Sequence, residues 1–217
     1  MNELLKMTAH QVKEGKFDKV ILAIGSCEAH GQHLAEGCDT IVSYELSKQV
    51  ADRVPGMLVL PPITVGYSGH YDTFPFTLTF DYETMIHVIY DIVESVLRNG
   101  INKIFLMNGH DGNIAPIEIA ARKIKEKYPD ARIASLPEWW VIAGKLVPEG
   151  TFAVWNGLGH AGEGETSIAY HLFPQWCEPD QATCVVPDHL PEHVDIKWDF
   201  AEITDTAQTG DCLLYTS

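Results

Sequence analysis

Acidic and imidazole side chains recur in three short, glycine-containing segments of this chain. The first segment holds Glu28 and His30, with Asp39 a little further along. In an extended backbone, residues two apart point the same way, so Glu28 and His30 could reach neighbouring metal positions. Asp39 could bridge two ions with its two carboxylate oxygens. Taken alone, a Glu-x-His pair is more typical of a solvated loop, so the other two segments decide the interpretation.

The second and third segments add ligands of the same kind. His110 lies between two glycines directly after an apolar run, where a histidine has little packing role. The third segment places His160, Glu163 and Glu165 at the start of a predicted helix, where the dipole favours negative charge. Helix capping explains Glu165 but leaves His160 and Glu163 without a role. Carboxylate and imidazole ligands without thiolates suit Zn, Mn or Fe, and two such ions sharing a carboxylate would activate water for hydrolysis.

Alternating strands and helices position these segments. Short apolar runs predict three buried strands, at Lys19–Ile24, Met57–Leu60 and Lys103–Met107, and a fourth strand is predicted at Ala131–Leu136. Helical spacing predicts helices at Thr40–Val54 (with Asp39 as N-cap), at 81–99, from 114 to about Tyr128, and from about Glu165 to Leu172. This alternation predicts an α/β fold: a three-layer α/β/α sandwich with a mainly parallel sheet. Ligands in such folds sit at the carboxyl ends of the strands, which two of the three segments directly follow.

Length and composition restrict the domain organisation and the partners. We predict one domain over residues 1–211, with a truncated C-terminus and a non-native tail at Cys212–Ser217. The net charge of −15 argues against a nucleic-acid partner and against an anionic membrane surface. The five cysteines are scattered without a Cys-x-x-Cys pair, and no secretory or membrane-spanning pattern is visible. We therefore expect a cytoplasmic protein with reduced thiols.

The three segments together resemble the motifs of the creatininase family. Gly25–Leu34 (GSCEAHGQHL) followed by Asp39 is similar to the family's first motif, and Asn108–Asn113 (NGHDGN) to its NGHxxN motif. His160–Ser167 (HAGEGETS) is similar to its HAGxxETS motif, and the three occur in the family's order. The resemblance implies a three-layer α/β/α fold, a homo-oligomer, and two divalent metal ions in a hydrolase that cleaves C–N bonds.

The resemblance also implies a role for each matching residue. Glu28 and His110 would bind one metal, His30 the other, and Asp39 would bridge them. His160 matches the family's active-site histidine and is a candidate proton shuttle.

One position departs from the family pattern. Creatininase proper has a metal-binding glutamate two residues after the histidine of the second motif, and here that position is Gly112. We expect Glu163 to supply the missing ligand. Glu165 is then assigned to the catalytic group beside His160, although it remains an alternative ligand, and Asp111 is a third candidate. This departure resembles relatives that hydrolyse formamides or act in cofactor biosynthesis.

The residues that would contact the substrate have weaker sequence signals than the metal ligands. Gly66–Pro75 resembles the family's substrate-side loop, although Phe76 stands where a glycine is usual, and this places Ser68 and His70 near the substrate. Trp155, together with Trp139 and Trp140, could wall a pocket for a flat ligand. Tryptophans more often pack in cores, so this assignment stays open.

The function expected is attack by a metal-bridging hydroxide on a small amide, cyclic amide or formamide, with His160 protonating the departing nitrogen. Two alternatives remain at this point. One is a metal-dependent peptidase that trims a cofactor-precursor peptide, for which an open cleft would be evidence. The other is a non-catalytic metal-binding protein.

Overall fold

A four-stranded, entirely parallel sheet forms the centre of the fold in the computed structural model, which describes residues 2–153, 157 and 159–183. Its strand order is β2-β1-β3-β4. The strands are β1 (Lys19–Ile24), β2 (Met57–Val59), β3 (Lys103–Asn108) and β4 (Arg132–Leu136). Residues Val20–Ile24 of β1 are at most 1% exposed, because helices cover both faces of this strand. Burial on both faces explains why β1 is a continuous apolar run.

In the described part of the chain, six α-helices surround the sheet: α1 (Ala9–Glu14), α2 (Cys38–Arg53), α3 (Tyr82–Arg98), α4 (Ile114–Lys127), α5 (Trp139–Leu146) and α6 (Glu163–Leu172). Apolar residues of α3 and α4 pack against one face of β1 and β3. Helix α2 packs against the other face. The predicted three-layer α/β/α arrangement is therefore confirmed. Within the described ranges, no helix combines the length and apolar composition needed to cross a membrane.

Helix α3 shows how the sequence specifies these elements. Met85, Ile89 and Val93 recur at helical spacing and are fully buried. The helix begins after Asp81, whose carboxylate accepts a hydrogen bond of 2.7 Å from the Thr84 amide. Such a cap stabilises a helix by about 1 kcal/mol.

Helix α2 begins differently from the prediction. Its N-cap is Gly37, and Asp39 lies within the first turn, so Asp39 is not the cap. The Asp39 carboxylate instead accepts a hydrogen bond of 2.6 Å from the Ser26 hydroxyl in the loop after β1. This shift of the helix start frees the carboxylate to face the strand ends.

Other differences concern short or weakly patterned segments. Helix α6 begins at Glu163, two residues before the predicted start, and α1 and α5 were not predicted. The long loop predicted between β2 and α3 is present, with one 3₁₀ turn at Gly69–Tyr71. Trp155, the part of the predicted domain beyond residue 183 and the predicted tail at 212–217 lie outside the described residues.

Candidate metal centre

The three motif segments meet at the carboxyl edge of the sheet. The loops after β1 and β3 lie against the first turn of α2, and two glycines make this approach possible. A Cβ atom at Gly109 would lie 2.3 Å from the Asp39 carbonyl oxygen, and one at Gly25 would lie 2.4 Å from the Thr40 Cα. Only glycine fits at contacts this close. The sequence-based expectation that all three segments share one edge agrees with this geometry.

Two buried carboxylates form the floor of the site. Glu28 is 0% and Asp39 is 5% exposed. The two Asp39 oxygens lie 2.9 Å from His30 Nε2 and 3.1 Å from His110 Nδ1. Glu28 Oε1 lies 3.2 Å from the same His110 nitrogen. Neither Glu28 oxygen receives a directed hydrogen bond from the described residues. Buried carboxylates are costly unless positive charge compensates them, so the floor requires cations.

Three histidines share one orientation around that floor. His30 Nδ1 donates to the Glu28 carbonyl at 3.0 Å, and His110 Nε2 donates to the Tyr67 carbonyl at 2.7 Å. His160 Nε2 donates to the Ala29 carbonyl. A carbonyl oxygen can only accept, so these nitrogens carry the hydrogens. In each neutral ring the other nitrogen therefore directs its lone pair at the carboxylates, an arrangement typical of metal-binding histidines.

Two opposing effects, burial and the neighbouring carboxylates, act on the pKa values of His30 and His110. Burial lowers the pKa of His30, but the adjacent Asp39 carboxylate outweighs burial and raises it to about 10. The pKa of His110 is likewise held well above its ordinary value: burial opposes the rise, and the Glu28 and Asp39 carboxylates outweigh it. Protons on these rings would fill the gap between lone pairs and carboxylate oxygens. A divalent cation would replace them, since metal binding displaces protons from its ligands.

The donor atoms are close enough to share ions. Among the residues that the structure describes, three groups have donor atoms that all lie within 4.8 Å of one another: Glu28 with His70 and His110, Glu28 with His30 and His160, and His30 with Asp39 and Glu165. These carboxylate and imidazole donors suit Zn, Mn or Fe. The residues present therefore fit a divalent metal centre.

The third motif contributes Glu165 to this cluster and directs Glu163 elsewhere. Glu165 belongs to the group with His30 and Asp39, and burial raises the pKa of its carboxyl to about 7. The Glu163 carboxylate instead accepts a hydrogen bond of 2.8 Å from the Ala153 amide. Residues two apart on a helix point about 200° apart, so only one of the two can face the strand ends. The structure therefore places Glu165, and not the expected ligand Glu163, within a donor group.

His160 lies at the rim of the cluster. Its Nδ1 is 4.0 Å from Glu28 Oε1, and its ring packs on Tyr71 with the centroids 4.4 Å apart. Burial and the nearby charge of His30 lower the pKa of His160 to about 4. Sequence reasoning missed Tyr71, which is 5% exposed, although its place beside His70 in the substrate-side loop was a usable signal.

The remaining predicted residues divide between the cavity and its surroundings. Among the residues lining a cavity of about 200 Å³ over the carboxylates are His70, Asp111 and Trp140. Asp111 belongs to none of the three donor groups. Ser68 is fully buried beside His110, with its hydroxyl 3.5 Å from His110 Nε2. Contrary to the prediction, it is not among the residues that line the cavity. Trp139 packs in a core cluster.

Comparison with known proteins finds one family repeatedly. The creatininase family model, described as creatinine amidohydrolase, matches residues 5–216. Creatinine amidohydrolase of Pseudomonas putida is 31% identical over 187 residues, which cover 79% of this chain and 69% of the relative. The mycofactocin precursor peptide peptidase of Mycobacterium ulcerans is 27% identical over 183 residues, covering 81% of this chain and 66% of the relative. The chain therefore spans about two thirds of the length of these relatives.

Solved structures agree with the sequence comparison. A manganese creatininase superposes with a TM-score of 0.73 at 28% identity, covering 88% of this chain and 80% of that structure. A crystal structure of creatinine amidohydrolase gives a TM-score of 0.74 at 26% identity, covering 94% of this chain and 85% of that structure.

Proposed function

This chain belongs to the creatininase family of metal-dependent amidohydrolases, and from that premise we propose that it cleaves the C–N bond of a small amide, cyclic amide or formamide. The observation that carries this proposal is the shared orientation of His30, His110 and His160. Each ring donates its outer N–H to a backbone carbonyl and turns its other nitrogen to the buried carboxylates.

We assign the metal ligands from the contacts of the donor atoms. Glu28 and His110 would hold one ion, His30 and Glu165 a second, and Asp39 would contact both through its two oxygens. Bound Zn, Mn or Fe ions would polarise the substrate carbonyl and lower the pKa of a water molecule.

His160 is placed to move the protons of the reaction. Its Nε2–H is held by the Ala29 carbonyl, so Nδ1 is the nitrogen available at the cavity. As the water oxygen bonds to the amide carbon, Nδ1 would accept the water proton. The same proton would pass to the nitrogen as the C–N bond breaks, giving a carboxylic acid and an amine. The ring contact with Tyr71 fixes the plane in which His160 can do this.

The size of the cavity favours a small substrate. Its volume of about 200 Å³ is below the roughly 300–1,000 Å³ that is usual for drug-sized ligands. Trp140 and Tyr71 contribute flat apolar walls, which suit a planar amide.

A second candidate function is the trimming of a peptide. It is favoured by the likeness to mycofactocin precursor peptide peptidase. The alignment with this peptidase covers nearly the same share of this chain as the alignment with creatinine amidohydrolase does. A peptide would require the cavity mouth to accept residues on both sides of the cleaved bond.

One experiment separates these functions. Purified protein would be analysed for metal, loaded in turn with Zn²⁺, Mn²⁺ and Fe²⁺, and assayed against creatinine, formamides, cyclic amides and short peptides. We expect the metal-loaded protein to turn over the small amides, and we expect the metal-free protein to be inactive. Turnover of peptides alone would replace the proposed substrate class. Binding of metal without turnover of any substrate would favour a non-catalytic metal-binding protein.

A further inference from the structure

The loop between β2 and α3 brings a fourth imidazole to the carboxylates. We infer that His70 is a metal ligand on the Glu28 and His110 side of the centre, and not the substrate contact that its place in the sequence suggests. This inference rests on the metal dependence proposed above. It adds to that proposal an assignment for a residue of the substrate-side loop.

The donor atoms of Glu28, His70 and His110 all lie within 4.8 Å of one another. Nitrogen and oxygen ligands lie about 2.0–2.2 Å from zinc, so ligands of one ion are at most about 4.4 Å apart. Small side-chain rotations would therefore bring all three groups onto one ion. His110 Nε2 is held by the Tyr67 carbonyl, which leaves Nδ1, the nitrogen near Glu28, as its donor atom.

The absence of a side chain at Gly112 makes the approach of His70 possible. A Cβ atom there would lie 2.2 Å from the Tyr67 carbonyl oxygen and 3.1 Å from His70 Cε1. It would also lie 2.7 Å from His110 Nε2. The loop that carries His70 thus occupies the space that any larger residue at 112 would need.

Neighbouring rings restrict the orientation of His70. Its plane is within 11° of the His110 plane, with the centroids 5.5 Å apart. On another side its centroid lies 4.4 Å from that of Tyr71. A ring fixed in this way is already oriented for coordination, and little side-chain entropy remains to be lost.

The resulting ligand set predicts a difference between the two ions. The ion near Glu28 would have two imidazoles, His70 and His110, whereas the ion near Glu165 would have only His30 as its imidazole. Imidazole donors suit Zn and Fe, and carboxylates suit Mn. We therefore expect the Glu28 side to prefer Zn²⁺ over Mn²⁺ more strongly than the Glu165 side does.

The test is a titration of metal-free protein with Co²⁺, monitored both by calorimetry and by visible absorption. The visible absorption of bound Co²⁺ depends on the number and kind of its ligands. The variants are His70→Ala and His70→Gln, with His87→Ala on the exposed face of α3 as the matched histidine control. We expect one of two Co²⁺ sites to weaken by more than about 100-fold in both His70 variants, because losing an outer partner of a ligand alone costs about 10–100-fold. The absorption of the remaining site and the behaviour of His87→Ala should match the wild type.

The failure of this inference is distinct from failure of the proposed function. Wild-type protein that binds no Co²⁺ would remove the metal dependence and both proposals with it. Two unchanged Co²⁺ sites and an unchanged spectrum in folded His70→Ala, with a raised KM, would overturn the inference and return His70 to a substrate contact. Circular dichroism tests whether each variant is folded. If His70→Ala is not folded, His70→Gln is used for the comparison with the wild type.

Discussion

His33 Nε2 donates a hydrogen bond of 2.9 Å to the Thr166 hydroxyl, and this bond joins the loop after β1 to the first helical turns of α6. The Thr166 hydroxyl in turn donates to the Ala161 carbonyl at 3.0 Å. Ala161 has a φ of 50°, a left-handed conformation that is costly for a residue with a side chain. The His33–Thr166 pair therefore supports the strained turn that carries His160.

Replacing Thr166 with valine should show how much the His33–Thr166 hydrogen bond stabilises the fold. Valine keeps the shape of the buried side chain but removes the hydroxyl, so the buried His33 N–H loses its acceptor. We expect a loss of about 1–3 kcal/mol in the free energy of unfolding, measured by urea denaturation. Thr166→Ser retains the hydroxyl and should lose less, about 1 kcal/mol for one buried methyl. Unchanged stability of Thr166→Val, with a loss only in Thr166→Ser, would show that packing, and not the hydrogen bond, is what matters.

The two acids of α6 should differ in their effect on metal content. Glu165→Gln removes a carboxylate from the group with His30 and Asp39, so we expect one of two ions to be lost or strongly weakened in elemental analysis of the purified protein. Glu163→Gln is the matched control, since its carboxylate contacts the Ala153 amide. The opposite pattern, with metal lost only from the Glu163 variant, would restore the assignment made from sequence.

His160→Ala should separate proton transfer from metal binding. We expect the variant to keep its metal content and its melting temperature while kcat falls by about 10²–10⁴-fold, the usual contribution of general acid–base catalysis. His10→Ala, exposed on α1, is the control. A lost ion in the His160 variant would make this residue a ligand, which its proximity to Glu28 and His30 allows.

The stability of the fold should depend on Glu3 at neutral pH and not in acid. Glu3 is 2% exposed, and its carboxylate accepts hydrogen bonds from Lys6 and Tyr44. Burial opposes ionisation, but these two partners, together with the charge of Lys48, hold the pKa of Glu3 below its ordinary value. Because this pKa is lowered, the ionised Glu3 carboxylate stabilises the folded state fully above its unfolded-state pKa, about 4.3. This stabilisation is lost as the pH falls through the lower folded-state pKa.

Glu3→Gln should therefore be less stable than the wild type by about 1–2 kcal/mol at pH 7, the range for a hydrogen bond to a charged group. The difference should shrink as urea denaturation is repeated below about pH 4. Glu118→Gln is the control, because that side chain is 60% exposed and its pairing with Arg122 is worth little. A difference that stays constant with pH would mean that the Glu3 carboxylate charge is not responsible.

Sequence patterns predicted the elements in which burial and periodicity agree. Residues Val20–Ile24 form an uninterrupted apolar run because both faces of β1 are covered, and α3 has a strong apolar stripe and a capping aspartate. Helix α5 lacks such a pattern: Trp139–Leu146 is apolar almost throughout, so no polar face distinguishes a helix from a buried strand. Helix α1 has only six residues, too few for periodicity to be decisive.

The candidate site was predictable to the level of residue type and approximate position. Glu28, His30, Asp39 and His110 follow from the motifs and meet in the structure. The choice between Glu163 and Glu165 did not follow, because it depends on the rotational phase of α6, which is set by where that helix starts. The position of His70 depends on the path of a long loop with little periodicity, which local sequence patterns do not determine.

The donor groups come from the loop after β1, the first turn of α2, the loop after β3 and the start of α6, which meet only in the folded chain. An ion bound there would stabilise the folded state by RT ln(1 + [M]/Kd), or about 2.7 kcal/mol at a free concentration of 100 Kd. A gain of that size is a substantial fraction of the roughly 5–15 kcal/mol that holds a typical domain together. Chelators would then act on this protein as mild denaturants, and its melting temperature would rise and fall with the supply of metal.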